Sequence, residues 1–180
     1  MKTYNSLILV SLLSVYSATS QSDNSIYAGL TAGASSYNYN NIDPGTATKV
    51  FIGYKVNENI AIEATLFDSG EADITDPLLP PGISLCSDGL NLTAFYRLPT
   101  SGGDLTAMVG GGLYSFDTTL KGPGGSISES GSGLSLAAGL EYTITENIAL
   151  RGDIDMFLGV KDFDQNDGLN SINIGIVLNF

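Results

Sequence analysis

From residue 26 to the last residue, apolar side chains fall on every second position in run after run. A period of two marks β-strands with two unlike faces. The pattern predicts eight strands, at about residues 26–37, 46–56, 60–67, 87–98, 105–118, 132–144, 148–157 and 172–180. In the last of them Ile172, Ile174, Ile176, Leu178 and Phe180 alternate with Asn173, Gly175, Val177 and Asn179. The connections alternate in length. Residues 38–45, 69–84, 119–131 and 159–167 read as long polar or Gly/Pro-rich loops, whereas 57–59, 99–103 and 145–147 read as short turns. An even strand count with every short turn at one end fits antiparallel hairpins closed into a membrane barrel, short turns on the periplasmic side. The expected fold is all-β, an eight-stranded antiparallel up-and-down transmembrane β-barrel, with the eighth strand closing against the first.

The two faces carry different chemistry. Within the strand cores the apolar face has no charge, and its rings gather near the short turns: Tyr54, Tyr96, Tyr142 and Phe180. That placement predicts an aromatic girdle at a membrane–water interface. The other face holds Lys49, Lys55, Glu63, Arg97, Glu141, Arg151, Asp153 and Asp155. Charges of both signs confined to a narrow lumen must pair there, because an unpaired buried ion costs several kcal/mol. An eight-stranded interior is just wide enough to be filled by side chains, which excludes a large pore. One internal echo stands out: residues 54–62, YKVNENIAI, parallel residues 142–150, YTITENIAL, and both are short-turn hairpins.

Composition narrows the class. Lys2, an apolar run over residues 7–15 and Ala18-Thr19-Ser20 read as a signal peptide over residues 1–20, leaving residues 21–180 as one barrel domain. A net charge of −12 argues against a nucleic-acid partner. Cys86 is the single cysteine, so no internal disulfide forms, and it reads as an inert residue near a loop. Asp162, Asp164 and Asn166 match the spacing of the first calcium-loop ligands. Asp167 stands where such a loop needs Gly, and Asn173 where it needs Glu, so the segment reads as an acidic solvated loop and no metal site is expected.

The mature chain resembles the small eight-stranded outer-membrane barrels related to the OmpA transmembrane domain and OmpX. The most specific match is GLEYTITENIALR, residues 139–151, where the family's inward Glu and Arg correspond to Glu141 and Arg151. The hairpin around Glu63 is similar to another with an inward Glu. Where the family has an inward Lys this sequence has Phe95, with Arg97 the nearest basic residue. Asn173, Gly175, Leu178 and Phe180 fill the places of the family's assembly signal, which implies the barrel-assembly machinery as a partner beside outer-membrane lipid. Barrels of this size that modify lipid A depend on a histidine, and this chain has none. No catalytic constellation and no cofactor is expected.

The reading is a monomeric, non-enzymatic protein of the bacterial outer membrane with a structural or surface-contact role, its loops meeting a host-surface or envelope partner in adhesion or colonisation. The alternative is a narrow gated channel that uses the lumen charge pairs. A soluble lipocalin-like carrier would also be eight-stranded and secreted, but its Trp motif is missing and its apolar faces would point inward.

Overall fold

The computed structural model of the chain describes residues 25–38, 41–78, 80–100, 102, 104–162 and 165–180, with the backbone alone at 160–162 and 165–167. The expected signal peptide, residues 1–20, lies outside these. In chain order the strands are β1 Ile26–Tyr37, β2 Gly45–Lys55, β3 Ile60–Asp68, the two-residue β4 Ala72–Asp73, β5 Ser84–Pro99, β6 Leu105–Gly122, β7 Gly125–Thr145, β8 Ile148–Asp162 and β9 Gln165–Asn179. The eight long strands form one antiparallel sheet that closes on itself. β1 pairs with β9 from Tyr27↔Asn179 to Tyr37↔Leu169. β3 pairs with β5 from Ile60↔Tyr96 to Asp68↔Asp88. Closure leaves no edge through the wall of the barrel.

Period-two alternation settles which side chain points where. Leu30, Ile52, Leu92, Ile154, Ile172 and Ile174 stand on the outer wall and are half or more exposed, while Thr31, Glu63, Arg151 and Asn173 are buried inside. That is the reverse of a soluble barrel. The outer apolar band ends, towards the long connections, on a polar row in register across five strands: Thr48↔Asp68, Asp68↔Asp88, Asp88↔Asp117 and Asp117↔Ser130.

Two expected loops are ladder instead. Residues 119–131 extend β6 and β7 to Gly122↔Gly125, leaving a two-residue turn at Pro123-Gly124. The Gly/Ser composition hides a period of two, since Leu120 and Ile127 pair and the serines occupy the other face. Residues 159–167 extend β8 and β9 to Asp162↔Gln165. Asp162 and Asn166 of the calcium-like spacing therefore sit in a hairpin ladder, while Asp164 lies outside the described residues.

The echoed hairpins share one physical task. Asn59, in the β2–β3 turn, accepts from Arg97 N at 2.7 Å and donates from Nδ2 to Arg97 O at 3.0 Å. Asn147, in the β7–β8 turn, accepts from Asn179 N at 2.9 Å and donates from Nδ2 to Asn179 O at 3.1 Å. Each turn asparagine thus clamps the foot of the next descending strand, β5 in one case and β9 in the other.

Candidate functional site

The lumen is built in layers along the barrel axis. Near the short turns, Tyr27, Phe51, Phe95 and Met108 form an apolar layer with Ala61, Ala137, Ala149 and Val177. Near the long connections a second one contains Tyr37, Phe67, Leu85, Tyr114, Phe116, Phe157 and Leu169. There the rings close the bore. Phe67 stacks on Phe116 at 5.3 Å between centroids, Phe157 lies 5.0 Å from Phe67 and 4.7 Å from Phe116, and Tyr114 lies 4.6 Å from Phe116. Such pairs contribute about 0.5–1.5 kcal/mol each beyond the area they bury. Glycines make the room: a methyl at Gly53 would overlap the Tyr27 ring, and one at Gly29 would overlap Phe51.

Between the apolar layers lies the charge network. Arg151, at 1% exposure, donates from Nη1 and Nη2 to the two carboxylate oxygens of Glu63 at 2.5 and 3.3 Å. Its Nε lies 3.1 Å from Asp153 Oδ2. The guanidinium is sandwiched between Phe51 and Phe95, at 4.6 and 5.1 Å from the ring centroids. Lys49 donates to Asp153 at 2.6 Å and to Asp155 at 2.7 Å. Tyr27 and Thr65 donate to Glu63, while Asn173 and Ser171 donate to the aspartates. Closer to the short turns Arg97 pairs with Glu141 at 2.9 Å. Among the described residues Lys55 joins no carboxylate; it donates to Asn179 Oδ1 at 2.8 Å and is only half-buried. Among the described residues the inward charges of the strand cores thus cancel: Lys49, Lys55, Arg97 and Arg151 against Glu63, Glu141, Asp153 and Asp155.

Phe95 stands one inward position from Arg97 on β5 and gives Arg151 an aromatic face rather than a competing cation. Glu141 and Arg151 are directly opposite in the β7–β8 register, yet each takes its ion-pair partner elsewhere.

On the outer wall Tyr54, Tyr96 and Tyr142 are each about half exposed. They lie opposite Ile26, Ile60 and Leu105, the first residues of three ascending strands, which sets them at one height. The Phe180 amide donates to Ile26 O at 2.9 Å, at the same level. Of the remaining residues in the assembly-signal pattern, Asn173 and Gly175 lie on the lumen side and Leu178 on the outer wall.

Sequence reasoning missed the inward rings as a plug, although their parity carries the signal: Phe51, Phe67, Phe95, Tyr114, Phe116 and Phe157 all fall on the polar face. It also missed the aspartate row, which is visible only once register is known. Cys86 is partly buried on β5, and burial pushes its thiol above the usual range. Among the described residues no group of His, Cys, Asp or Glu is arranged to hold a metal ion.

Residues 6–180 match the family model of the outer membrane protein beta-barrel domain. Solved structures share the fold at low identity. Neisserial surface protein A is 15% identical with a TM-score of 0.70, covering 88% of this chain and 98% of that one. The N-terminal β-barrel domain of Pseudomonas aeruginosa OprF is 18% identical with a TM-score of 0.60, covering 89% and 100%. Ail, the attachment invasion locus protein of Yersinia pestis, solved with the heparin analogue sucrose octasulfate, is 14% identical with a TM-score of 0.58, covering 87% and 97%. No curated protein matches the sequence.

The buried network generates a stability prediction. Glu63→Ala leaves Arg151 short of its bidentate partner and is expected to cost about 3–5 kcal/mol, whereas the double change Glu63→Leu with Arg151→Met costs far less. Urea titration of the folded barrel in micelles checks this; equal losses in the two variants would contradict it.

Proposed function

The chain belongs to the outer membrane protein beta-barrel domain family, and from that premise we propose that it is a non-enzymatic surface-contact protein working through its extracellular end. It is a barrel of the bacterial outer membrane, and its short turns face the periplasm. One observation carries the proposal: the lumen is filled. An aromatic plug and a charge-balanced ion layer occupy the bore in series, which argues against passage of a solute. What remains available is the extracellular end, where β6 and β7 run to 18 and 21 residues, longer than the other strands. Loops and hairpins on a rigid scaffold are where such folds place recognition.

Charge sets the kind of partner. Ail is described with a polyanion. Here the extracellular end carries Asp43, Glu71, Asp73, Asp76, Asp117 and Glu129, and Lys121, the basic side chain described there, is already paired with Glu71. A sulfated polysaccharide would be repelled, and a cationic surface attracted. Truncating the β6–β7 hairpin or the 70–82 loop is expected to abolish adhesion of cells bearing the protein while leaving heat-modifiable gel mobility intact, and added heparin should not compete. Adhesion unchanged by every loop truncation would overturn the reading.

A second reading, a narrow gated channel, is favoured by the Glu141–Arg151 register. The gate would be a swap of partners, Arg151 from Glu63 to Glu141, the residue directly opposite it on β7. Planar-bilayer recording separates the two. A gate predicts conductance that rises in Arg151→Ala; silence in both proteins, or conductance identical in both, counts against it.

A further inference from the structure

The outer wall is not evenly filled. Across β1, β9, β8 and β7 it holds a hollow of about 680 Å³, inside the range of roughly 300–1,000 Å³ that small-molecule sites occupy. Gly152 is its floor. In register across the wall Gly152 has Ile174 on one side and Leu140 on the other, and Ile154 follows it on its own strand and face. Ile172 continues the rim, while Ala32 and Ala138 are its low shoulders. Ile172 and Ile174 are 61% and 68% exposed, so the rim stands clear of the wall.

The chain's own packing does not ask for a glycine at 152. At Gly29, Gly53 and Gly175 an added methyl would overlap a ring or a neighbouring strand, so those glycines are forced. At Gly152 the nearest atom to such a methyl is Asn173 O at 3.9 Å, an ordinary contact, and the backbone is strand without a left-handed φ. Glycine weakens a strand interior, and where no turn or bulge uses it, it marks a place that another group approaches closely. The other outward positions along β8, Leu150, Ile154 and Met156, all carry long side chains. The wall is opened at one point within its apolar band.

Position and size identify the occupant. The hollow is continuous with the wall that meets outer-membrane lipid. Leu140, on its rim, stands two residues from Tyr142, one of the outward tyrosines at the short-turn end. Outward rings at a barrel end sit at headgroup level, so the hollow begins about 7 Å along the strand from the periplasmic headgroups. Four strands wide and two rows high, it measures about 14 Å by 7 Å. That is a small fraction of the roughly 800 Å² per partner that a stable protein interface buries. A single chain fits it better than a second copy. The outward side chains around it are Ala, Ile and Leu, so a hydrocarbon fills it without stranding a polar group.

We propose that the hollow over Gly152 seats one acyl chain of a phospholipid of the periplasmic leaflet, with its headgroup beside Tyr142 and its chain passing Leu140 and Ile174 towards Ile154 and Ile172. The bare glycine lets the chain lie against the wall, and the rim adds dispersion contacts at its sides that lipid elsewhere on the wall lacks. The seat depends on the barrel lying in the membrane and is independent of what the extracellular end contacts.

The test uses the full folded barrel in phosphatidylcholine nanodiscs, with a rising fraction of phosphatidylcholine spin-labelled near the head of one chain. Methyl relaxation in NMR is read at Leu140, Ile174, Ile154 and Ile172, and at Ile62 and Leu66 on β3 for comparison. Leu140 and Ile174 should relax several times faster than Ile62 and Leu66, in a way that saturates with labelled lipid, and faster than Ile154 and Ile172. Gly152→Leu and Ala138→Leu, whose new side chains point out of the wall and leave the fold intact, should each remove the excess. Equal relaxation around the whole wall overturns the proposal, as does an excess that survives in both variants. A larger effect at Ile154 and Ile172 than at Leu140 and Ile174 would bring the chain from the other leaflet and overturn it too. So would sedimentation as a dimer that the two variants dissociate, which would assign the hollow to a second copy.

Discussion

Arg151 is the residue around which the interior must be arranged. A guanidinium at 1% exposure inside a narrow barrel is tolerable only with its charge compensated. Glu63 takes two of its donors as a bidentate carboxylate, Asp153 lies in ion-pair range of Nε without a hydrogen bond, and Phe51 and Phe95 supply two aromatic faces. Each of these brings further demands. Asp153 needs Lys49, and Lys49 bridges on to Asp155. The Phe51 ring needs a glycine at position 29. Strands far apart in sequence, β2, β3 and β8, are tied across the bore by this one cation and its partners. Main-chain ladders make the wall of the barrel. The ion network fixes what fills it.

A filled interior changes what the scaffold is for. The outer-wall apolar residues meet lipid, the lumen is neutral and packed, and the remaining freedom lies above the band. Among the described residues the longest strands run there, and Asp43, Asp73, Asp76 and Glu129 lie there. Neisserial surface protein A, the OprF barrel domain and Ail share the fold with this chain at 14–18% identity, and the similarity extends to architecture alone. Selectivity in the proposed surface contact therefore has to be read from this chain's own extracellular charge.

Much of the architecture was legible before any coordinate. Alternation along Ile172–Phe180 and its seven companions located every long strand, and β1 matches its expected limits at both ends. The tops of the hairpins were not legible, because Gly and Ser between residues 119 and 131 look like loop while Leu120, Ile127 and their neighbours keep a strand's period. In the lumen, charge parity marked the eight ionisable residues, but not who pairs with whom. Lys55 ends on Asn179 instead of a carboxylate, and Glu141 ignores the arginine opposite it. Pairing depends on side-chain reach across the bore, which a linear pattern does not contain. The TENIAL echo was visible as a repeat, and its cause, an asparagine clamp on the next strand, needed the turn geometry.

The central claim is that the lumen is sealed around a dry, paired Arg151. Arg97 and Arg151 are the chain's two arginines, which makes the guanidinium signals assignable with one Arg97→Lys variant. The most direct measurement is nitrogen-resolved NMR of the guanidinium protons of the folded barrel during transfer into heavy water. The account predicts that the Arg151 Nε–H and Nη–H signals persist far longer than those of free arginine. Loss of the Arg151 signals as fast as those of a solvated arginine would contradict it.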